Sequence, residues 1–542
     1  MNLFERLFPA SRSMRQAVWF ESRKIVYAEL RAEAVRVAEV LNALGVENGD
    51  RVAILLADSP EFIATFVAVI SIGAIAVPIN PALGREDQLF ILKDCSASAA
   101  VVEAQSASAL FENSPALKDL KNLILVRRGE EIATAIAGVN IEDFADAPRW
   151  PLEQFSVVPR EGGASPHGPA SDTEADAFIL YTSGSTGEPK GAVHTEADIF
   201  CTNETYCREV LKPGEGDRLF SSSRLPFAYG LGNSFTFPLL NGQTTILCRE
   251  KPTPEVVRRI LSECRPTIFF GVPVVYRMLL EHHRTVASLD CSSLRLCVSA
   301  GEALPAQLGQ EWQQTFGVEV LDGIGSTEML HMFMSNHSGE VRYGSSGRLL
   351  SGYEAKLITH EGVGTKIGEV GNLWIRGHSA ASRYWQRAET SAETFVDGWT
   401  RTGDLYRCDA DGFWWHMGRS DDCFKPTGQW VSPIEVESVL LRHESTRAAA
   451  VVEGFDEAGL SCVCAFVVLA EGSEPGKAES HLRALCADVL PRFKQPRRYL
   501  FVAELPYTAT GKVQRFKLRE QLRNVQSPLR NVQSPTSKVQ RP

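Results

Sequence analysis

The chain has 542 residues, too many for one hydrophobic core, so two or more domains are expected. Its 44% hydrophobic and 23% charged fractions are those of an ordinary globular protein and exclude a disordered or fibrous one. A net charge of −10, with no basic tract before the C-terminal region, leaves a nucleic-acid role without electrostatic support.

The N-terminus, MNLFERLFPASRSMRQAV, has no long apolar core beside a cleavage site, so no signal peptide is expected. RVAILLADSPEFIATFVAVISIGAIAVPIN (51–80) reads strand, helix, strand, with Ser59 as N-cap and Pro60 at the first helical position. This βαβ pattern implies a parallel sheet covered by helices. The most apolar run, 66–79, is shorter than the roughly 20 residues a membrane span needs and meets Pro78, so no span is expected. NLILV (122–126) is a further strand, and the small polar stretch 161–173 reads as a surface loop. Residues 254–280 read helix, strand, helix, and 294–305 run from a strand into a glycine turn.

From about Gly344 short β segments alternate with Gly and Asp turns, as in a meander or small barrel. Residues 418–443 then read turn, strand, helix, with Ser432, Pro433 and Glu435 predicting a capping box. A small α+β unit from about 420 to 520 follows. The tail repeats LRNVQSP at 522–528 and 529–535, which suits a disordered end. The twelve cysteines include no C-x-x-C pair. Cys462 and Cys464 share one face of a strand, and scattered buried thiols in a reducing cytoplasm explain them better than a metal site.

Four segments carry residues suited to chemistry. YTSGSTGEPKG (181–191) can curl its N–H groups and hydroxyls around an anion, with Lys190 adding a cation. It is not a P-loop. Pro189 precedes the lysine, Gly191 follows it, and both flanks look like strands, whereas a P-loop feeds a helix. LDGIGSTEML (321–330) offers hydroxyls for phosphate and a carboxylate for Mg²⁺, or simply a helix N-terminus. In WTRTGDLYRCDADGFWWHMGRSDD (399–422), Asp404 could hold two vicinal hydroxyls or cap a turn. In ELPYTATGKVQRFKLR (504–519), Lys512 taken alone is a surface charge.

Taken in order, these segments resemble the adenylate-forming superfamily of acyl-CoA synthetases, peptide-synthetase adenylation domains and firefly luciferase. The resemblance runs to about residue 520. FAYGLGN, SAGEALP, LDGIGSTEMLHMF and GQWVSPIEVES are most similar to the benzoate-CoA ligase group, as is Ile324. The resemblance implies an α/β fold. A large N-terminal domain of packed α/β sheets plus a small β-barrel spans 1–419, with a hinge at 420–422. A small mobile α+β C-terminal domain spans 423–520, and 521–542 form a disordered tail.

It also implies the reaction. A carboxylic acid joins ATP to give an acyl-adenylate and pyrophosphate, and coenzyme A then displaces AMP. An aryl acid is the expected substrate. Hydroxycinnamate, cyclic or fatty acids, and loading of a carrier protein, are the alternatives.

Residue roles follow from the resemblance alone. Thr182, Ser183, Ser185, Thr186, Gly187 and Lys190 embrace the phosphates. Thr327 contacts the α-phosphate and Glu328 binds Mg²⁺. Gly301, Glu302, Asp322, Gly323 and Ile324 line the adenine, and Asp404 with Arg419 takes the ribose. Lys512 bridges the acyl carboxylate and α-phosphate, and its acetylation by a lysine acetyltransferase would regulate the first step. Ala228, Tyr229, Gly325 and His331 shape the acid pocket, where His331 could equally be a packed helix histidine. Asp421 is the pivot, and Lys425 and Gly428 face the site during thioester formation. Cys423, Phe424 and Pro426 depart from the group's pattern near the hinge. ATP, Mg²⁺ and coenzyme A are the implied ligands, in the cytoplasm.

Overall fold

The computed structural model describes residues 2–111, 117–127, 140–143, 175–182, 188–359, 361–426, 429–456, 460–507 and 513–530. The loop expected at 161–173 lies outside them. The chain forms two compact units. One comprises residues 1–369, 373–402 and 408–415, and the other 370–372, 403–407 and 416–542.

The first unit holds two large sheets. The eight-stranded sheet runs, in spatial order, 383–384, 191–195, 176–181, 75–78, 51–55, 99–103, 122–126 and 140–143. The βαβ unit expected at 51–80 is there: strands Arg51–Leu55 and Ile75–Pro78 pair in parallel. Between them runs helix Pro60–Ser71, with the Ser59 hydroxyl accepting from Phe62 N–H at 3.3 Å. That helix is buried on nearly every face, which explains a sequence without a polar stripe. The nine-stranded sheet runs 348–349, 332–335, 320–325, 296–299, 268–271, 218–221, 244–247, 16–20 and 23–26.

Side chains from both sheets meet in one core. Phe66 packs its ring 5.4 Å from both Phe178 of the eight-stranded sheet and Phe235 of the helical segment Gly232–Thr236. Truncating a ring buried this way costs about 3–5 kcal/mol. The β segments expected after Gly344 form a further five-stranded sheet from Tyr353–Ile358, Val370–Gly377, Phe395–Val396, Trp399–Cys408 and Trp414–Arg419.

The second unit is built on strands Thr446–Phe455, Ser461–Leu469 and Arg498–Phe501. Alternate side chains of Ser461–Leu469 point to opposite faces. Val463, Ala465 and Val467 pack with Val436, Leu440 and Leu482 of helices Pro433–Leu440 and Pro475–Val489. Cys462, Cys464 and Phe466 pack with Leu518 and Leu522. Cys462 and Cys464 are thus buried core thiols, with sulfurs 3.8 Å apart. Among the described residues no group of three or more His, Cys, Asp or Glu could hold a metal ion.

Two local expectations are corrected. The tail was expected to be disordered from 521, but helix Arg515–Arg530 continues through the first LRNVQSP copy. Leu518 and Leu522, four residues apart, fall on one helix face and anchor it on the sheet. The second copy lies almost wholly outside the described residues. At Ser432 the hydroxyl does accept from Glu435 N–H, but the Glu435 carboxylate takes Lys494 Nζ at 2.6 Å instead of closing the capping box.

Candidate active site

Lys190 sits at the base of a hairpin. Strands Asp176–Tyr181 and Gly191–Thr195 pair antiparallel, Tyr181 opposite Gly191. Thr182 N–H donates to the Lys190 carbonyl at 2.9 Å. A strand on each side of the loop is the geometry that set it apart from a P-loop. Gly191 cannot be replaced cheaply, since a Cβ there would come within 2.6 Å of Ile179 Cγ2. Lys190 is exposed, its Nζ 5.6 Å above the Tyr384 ring. Ser183, Ser185, Thr186 and Gly187 lie outside the described residues.

The 321–330 segment is a tight connection between antiparallel strands Val320–Gly325 and Met332–Ser335, not a helix N-terminus. The Ser326 hydroxyl accepts from Met329 N–H, and Leu330 N–H donates to the Thr327 carbonyl. Leu330 adopts a left-handed φ of 61° to complete the turn. Gly323 and Gly325 are required by close approach: a Cβ would meet Met334 O at 2.6 Å and His331 O at 2.4 Å respectively.

Two side chains join the hairpin to this turn. Tyr384, on the strand beside Gly191–Thr195, donates its hydroxyl to Glu328 Oε1 at 2.6 Å. His194, four residues after Lys190, places Nε2 2.8 Å from the Thr327 carbonyl. Its Nδ1 lies 2.8 Å from Asp198 Oδ2. The Glu328 carbonyl also accepts from Ala381 N–H at 2.7 Å. Glu328 is therefore one oriented, half-buried carboxylate. That suits Mg²⁺, which takes one or two protein carboxylates and completes its shell with substrate phosphates and water.

Gly301 and Glu302 reach Asp322–Ile324 because strand Leu296–Ser299 pairs with Val320–Gly325, Ser299 opposite Asp322. Gly301 takes φ +90°, which favours glycine. Asp322 is buried, and desolvation pushes its carboxyl well above the usual range. It accepts from Leu304 N–H, tying the glycine turn to the neighbouring strand.

Ala228 and Tyr229 lie on a short helix that widens into π-type turns at Gly232–Thr236. The Tyr229 hydroxyl faces the carbonyls of Gly271 and Val298, at 3.4 and 3.3 Å. His331 is 3% exposed, in an aromatic cluster with ring centroids 4.6 Å from Phe237, 4.9 Å from Tyr206 and 5.7 Å from Tyr229. Burial pushes the imidazole down to about 3, so it is neutral at physiological pH. Among the described residues neither His331 ring nitrogen nor the Asn233 amide has a hydrogen-bond partner. Gly232 leaves room for the His331 ring, since a Cβ would meet it at 2.5 Å. Tyr229, Gly325 and His331 are thereby brought together.

In the second unit, Asp404 is 9% exposed, with Arg419 Nη1 and His416 Nε2 each 3.4 Å from its Oδ1. Gly403 makes room for Arg419: a Cβ would meet its Nη2 at 2.8 Å. Asp421 is exposed, whereas Asp422 is paired with Arg515 at 3.5 Å and Arg519 at 2.5 Å. Lys425 is exposed over the Trp430 ring at 4.3 Å. Gly428 and Lys512 lie outside the described residues. The base of the Lys512 loop is closed by a bridge between Tyr507 and Val513.

Known proteins carry the same organisation. A family model described as AMP-binding enzyme matches residues 8–385, and one described as AMP-binding enzyme C-terminal domain matches 435–512. The chain belongs to the AMP-binding enzyme family. The benzoate–CoA ligase of Thauera aromatica is 40% identical over 527 residues, which is 96% of this chain and 95% of that protein. The crystal structure of an anthranilate CoA ligase in complex with anthranoyl-AMP matches with a TM-score of 0.88 at 35% identity. That match covers 97% of this chain and 98% of the other. A benzoate CoA ligase from Burkholderia xenovorans LB400 matches with a TM-score of 0.83 at 36% identity, covering 96% and 100%.

Sequence reasoning missed several residues of this AMP-binding enzyme. Tyr384 lies 56 positions from Glu328 and carried no signal of its own. His194 and Asp198 did carry one: T-E-A-D after a strand marks an N-cap, and Thr195 and Asp198 form a reciprocal capping box. Asp58 was also missed. It accepts from Leu225 N–H at 3.0 Å and lies 3.7 Å from Arg224, anchoring the segment that leads to Tyr229.

Proposed function

We propose that this AMP-binding enzyme is an ATP-dependent aryl acid–CoA ligase. It activates a benzoate-like acid as its adenylate and passes the aryl group to coenzyme A, releasing AMP and pyrophosphate. One observation carries the reading. The Lys190 hairpin and the Thr327–Glu328 turn are held together by His194 and Tyr384, so a cation, a hydroxyl and a carboxylate line one wall. The similarity to benzoate and anthranilate CoA ligases over nearly the whole chain supports the aryl substrate.

A free carboxylate is a poor electrophile because it lacks a leaving group, and AMP supplies one. The first step concentrates charge on the phosphates, and fixed donors there lower the barrier. In this reading Thr182, Ser183, Ser185, Thr186, Gly187 and Lys190 hold the β- and γ-phosphates, and Thr327 the α-phosphate. Glu328, oriented by Tyr384, would hold Mg²⁺, which supplies charge neutralisation. Gly301, Glu302 and 322–324 hold adenine, and Asp404 with Arg419 holds the ribose. Lys512 brings the acyl carboxylate to the α-phosphate. Ala228, Tyr229, Gly325 and His331 bind the aryl ring.

Lys512 and the thiol need the same space in successive steps. We therefore assign residues 420–422 as a hinge pivoting at Asp421, with 423–520 as a mobile lid that brings Lys425 and Gly428 to the second step. A cytoplasmic location accords with twelve unpaired cysteines, and no described helix is long and apolar enough to cross a membrane. As a separate proposal, acetylation of Lys512 by a lysine acetyltransferase would silence the first step alone. Mass spectrometry showing acetyl-Lys512 in protein that still adenylates would refute it.

The test is pyrophosphate release across a panel of acids, with and without coenzyme A. Aryl acids are expected to drive release, with the aryl thioester appearing only when coenzyme A is present. A thioester on a carrier protein in place of coenzyme A would overturn the second half alone.

A further inference from the structure

We propose that His194 is a positioning residue of the ATP site, holding the Thr327 backbone so that Thr327 and Glu328 stay aimed at the phosphates. The inference rests on the ATP-site reading above. His194 is 0% exposed and its ring stacks on Phe178, centroids 5.3 Å apart and planes 18° apart. Phe178 lies on the strand that leads into the phosphate loop. Both ring nitrogens face acceptors. A carbonyl can only accept, so Nε2 carries a proton and donates it to Thr327 at 2.8 Å. Nδ1 lies 2.8 Å from Asp198 Oδ2.

Asp198 is 4% exposed and is itself fixed, accepting from Thr195 N–H and from the Thr195 hydroxyl, each at 3.0 Å. The ring is therefore held from one edge by Asp198 and presents its Nε2–H edge to Thr327. Burying such a pair is costly, and an apolar residue of similar size would fill the same space without that cost. Packing alone does not explain it. The chain of contacts does: it runs from the Thr195 cap through Asp198 and His194 to the carbonyl of Thr327. The strand carrying His194 is the one that begins directly after Lys190. With Tyr384 on Glu328, His194 thus sets the spacing between the cation of one segment and the Thr327–Glu328 turn of the other. Partners that orient a ligand-binding group in this way typically change activity 10- to 100-fold when removed.

The experiment compares His194→Leu, His194→Gln and Asp198→Asn in the full chain. Two half-reactions are measured separately: acid-dependent ATP–pyrophosphate exchange, and thioester formation from supplied benzoyl-adenylate and coenzyme A. The expected result is a drop in exchange kcat of about 10- to 100-fold for His194→Leu, at unchanged KM for the acid. His194→Gln, which keeps a donor for the Thr327 carbonyl, loses less, and Asp198→Asn loses exchange in the same direction. Thioester formation stays within about twofold of wild type. Equal loss of both half-reactions, or wild-type exchange in the leucine variant, overturns the proposal. If His194→Leu does not fold, Asp198→Asn and His194→Gln decide between the same outcomes by the same two measurements. Absence of exchange in the wild-type protein with every aryl acid would instead refute the ligase reading itself.

Discussion

The two walls of the large unit are built on opposite terms. On the side proposed to hold the phosphates the polar atoms are tied to one another: Tyr384 to Glu328, His194 to Thr327, Asp198 to His194. On the side proposed to hold the acid His331 and Asn233 are as deeply buried, yet their side-chain polar atoms have no partner among the described residues. A buried polar group left unpaired costs about 1–3 kcal/mol. In the proposed reading the first wall meets a ligand that never changes, ATP. In the same reading the second keeps unpaired groups for the acid, at a cost to stability that tertiary packing must offset.

The sharpest way to break that contrast is to attack the phosphate wall and compare acids. Glu328→Gln should lower adenylation by about 100- to 1,000-fold. The factor should be equal for every acid in a pyrophosphate-exchange panel. A strongly acid-dependent factor would mean that the two walls are not separate. Tyr384→Phe removes only the bond that orients Glu328, so the loss should be about 10- to 100-fold. It should appear as a higher Mg²⁺ requirement at unchanged acid KM.

On the acyl wall the effects should be smaller and should re-rank acids. Gly232→Ala pushes a methyl into the His331 ring, at an overpacking cost of about 1–3 kcal/mol in stability. It should disfavour the bulkier ring-substituted acids relative to benzoate, measured as kcat/KM ratios. A uniform loss across acids would remove His331 from the acid-binding wall.

The last prediction concerns pH. His331 is depressed to about 3 by burial, so its contribution to stability is complete above its ordinary value of 6.5 and is lost as pH falls toward 3. Asp58 is raised to about 6 by burial, so its contribution runs the other way, present below its ordinary 3.8 and lost as pH rises through 6. Relative to wild type, His331→Phe should therefore gain stability as pH falls from 6.5 to 4.5. Asp58→Asn should lose about 2 kcal/mol relative to wild type between pH 7 and pH 4. Urea unfolding at each pH measures both. Parallel slopes for the two variants would contradict these assignments.

The fold was legible where composition and period agreed. The apolar runs flanking Ser59 and Pro60 announced a buried βαβ unit because a run apolar on every face and too short to span a membrane belongs in a core. The flanks of Lys190 read as strands and are strands, but their antiparallel pairing into a hairpin comes from the structure alone. The Ser326–Glu328 turn was ambiguous because Ser and Thr start helices and turns alike, and only its antiparallel partner decides. Tail disorder was expected because LRNVQSP is polar, yet Leu518 and Leu522 recruit the first copy into a helix through the sheet beneath. The joining contacts were out of reach for a different reason. His194 and Thr327 lie 133 positions apart, and nothing local in either segment reports that two strands will bring them together.

The most direct measurement is aryl-acid-dependent ATP–pyrophosphate exchange without coenzyme A, followed by addition of coenzyme A. The ligase account predicts exchange with benzoate-like acids alone, then AMP and an aryl thioester once the thiol is added. Protein that binds ATP but supports no exchange with any aryl acid would contradict it.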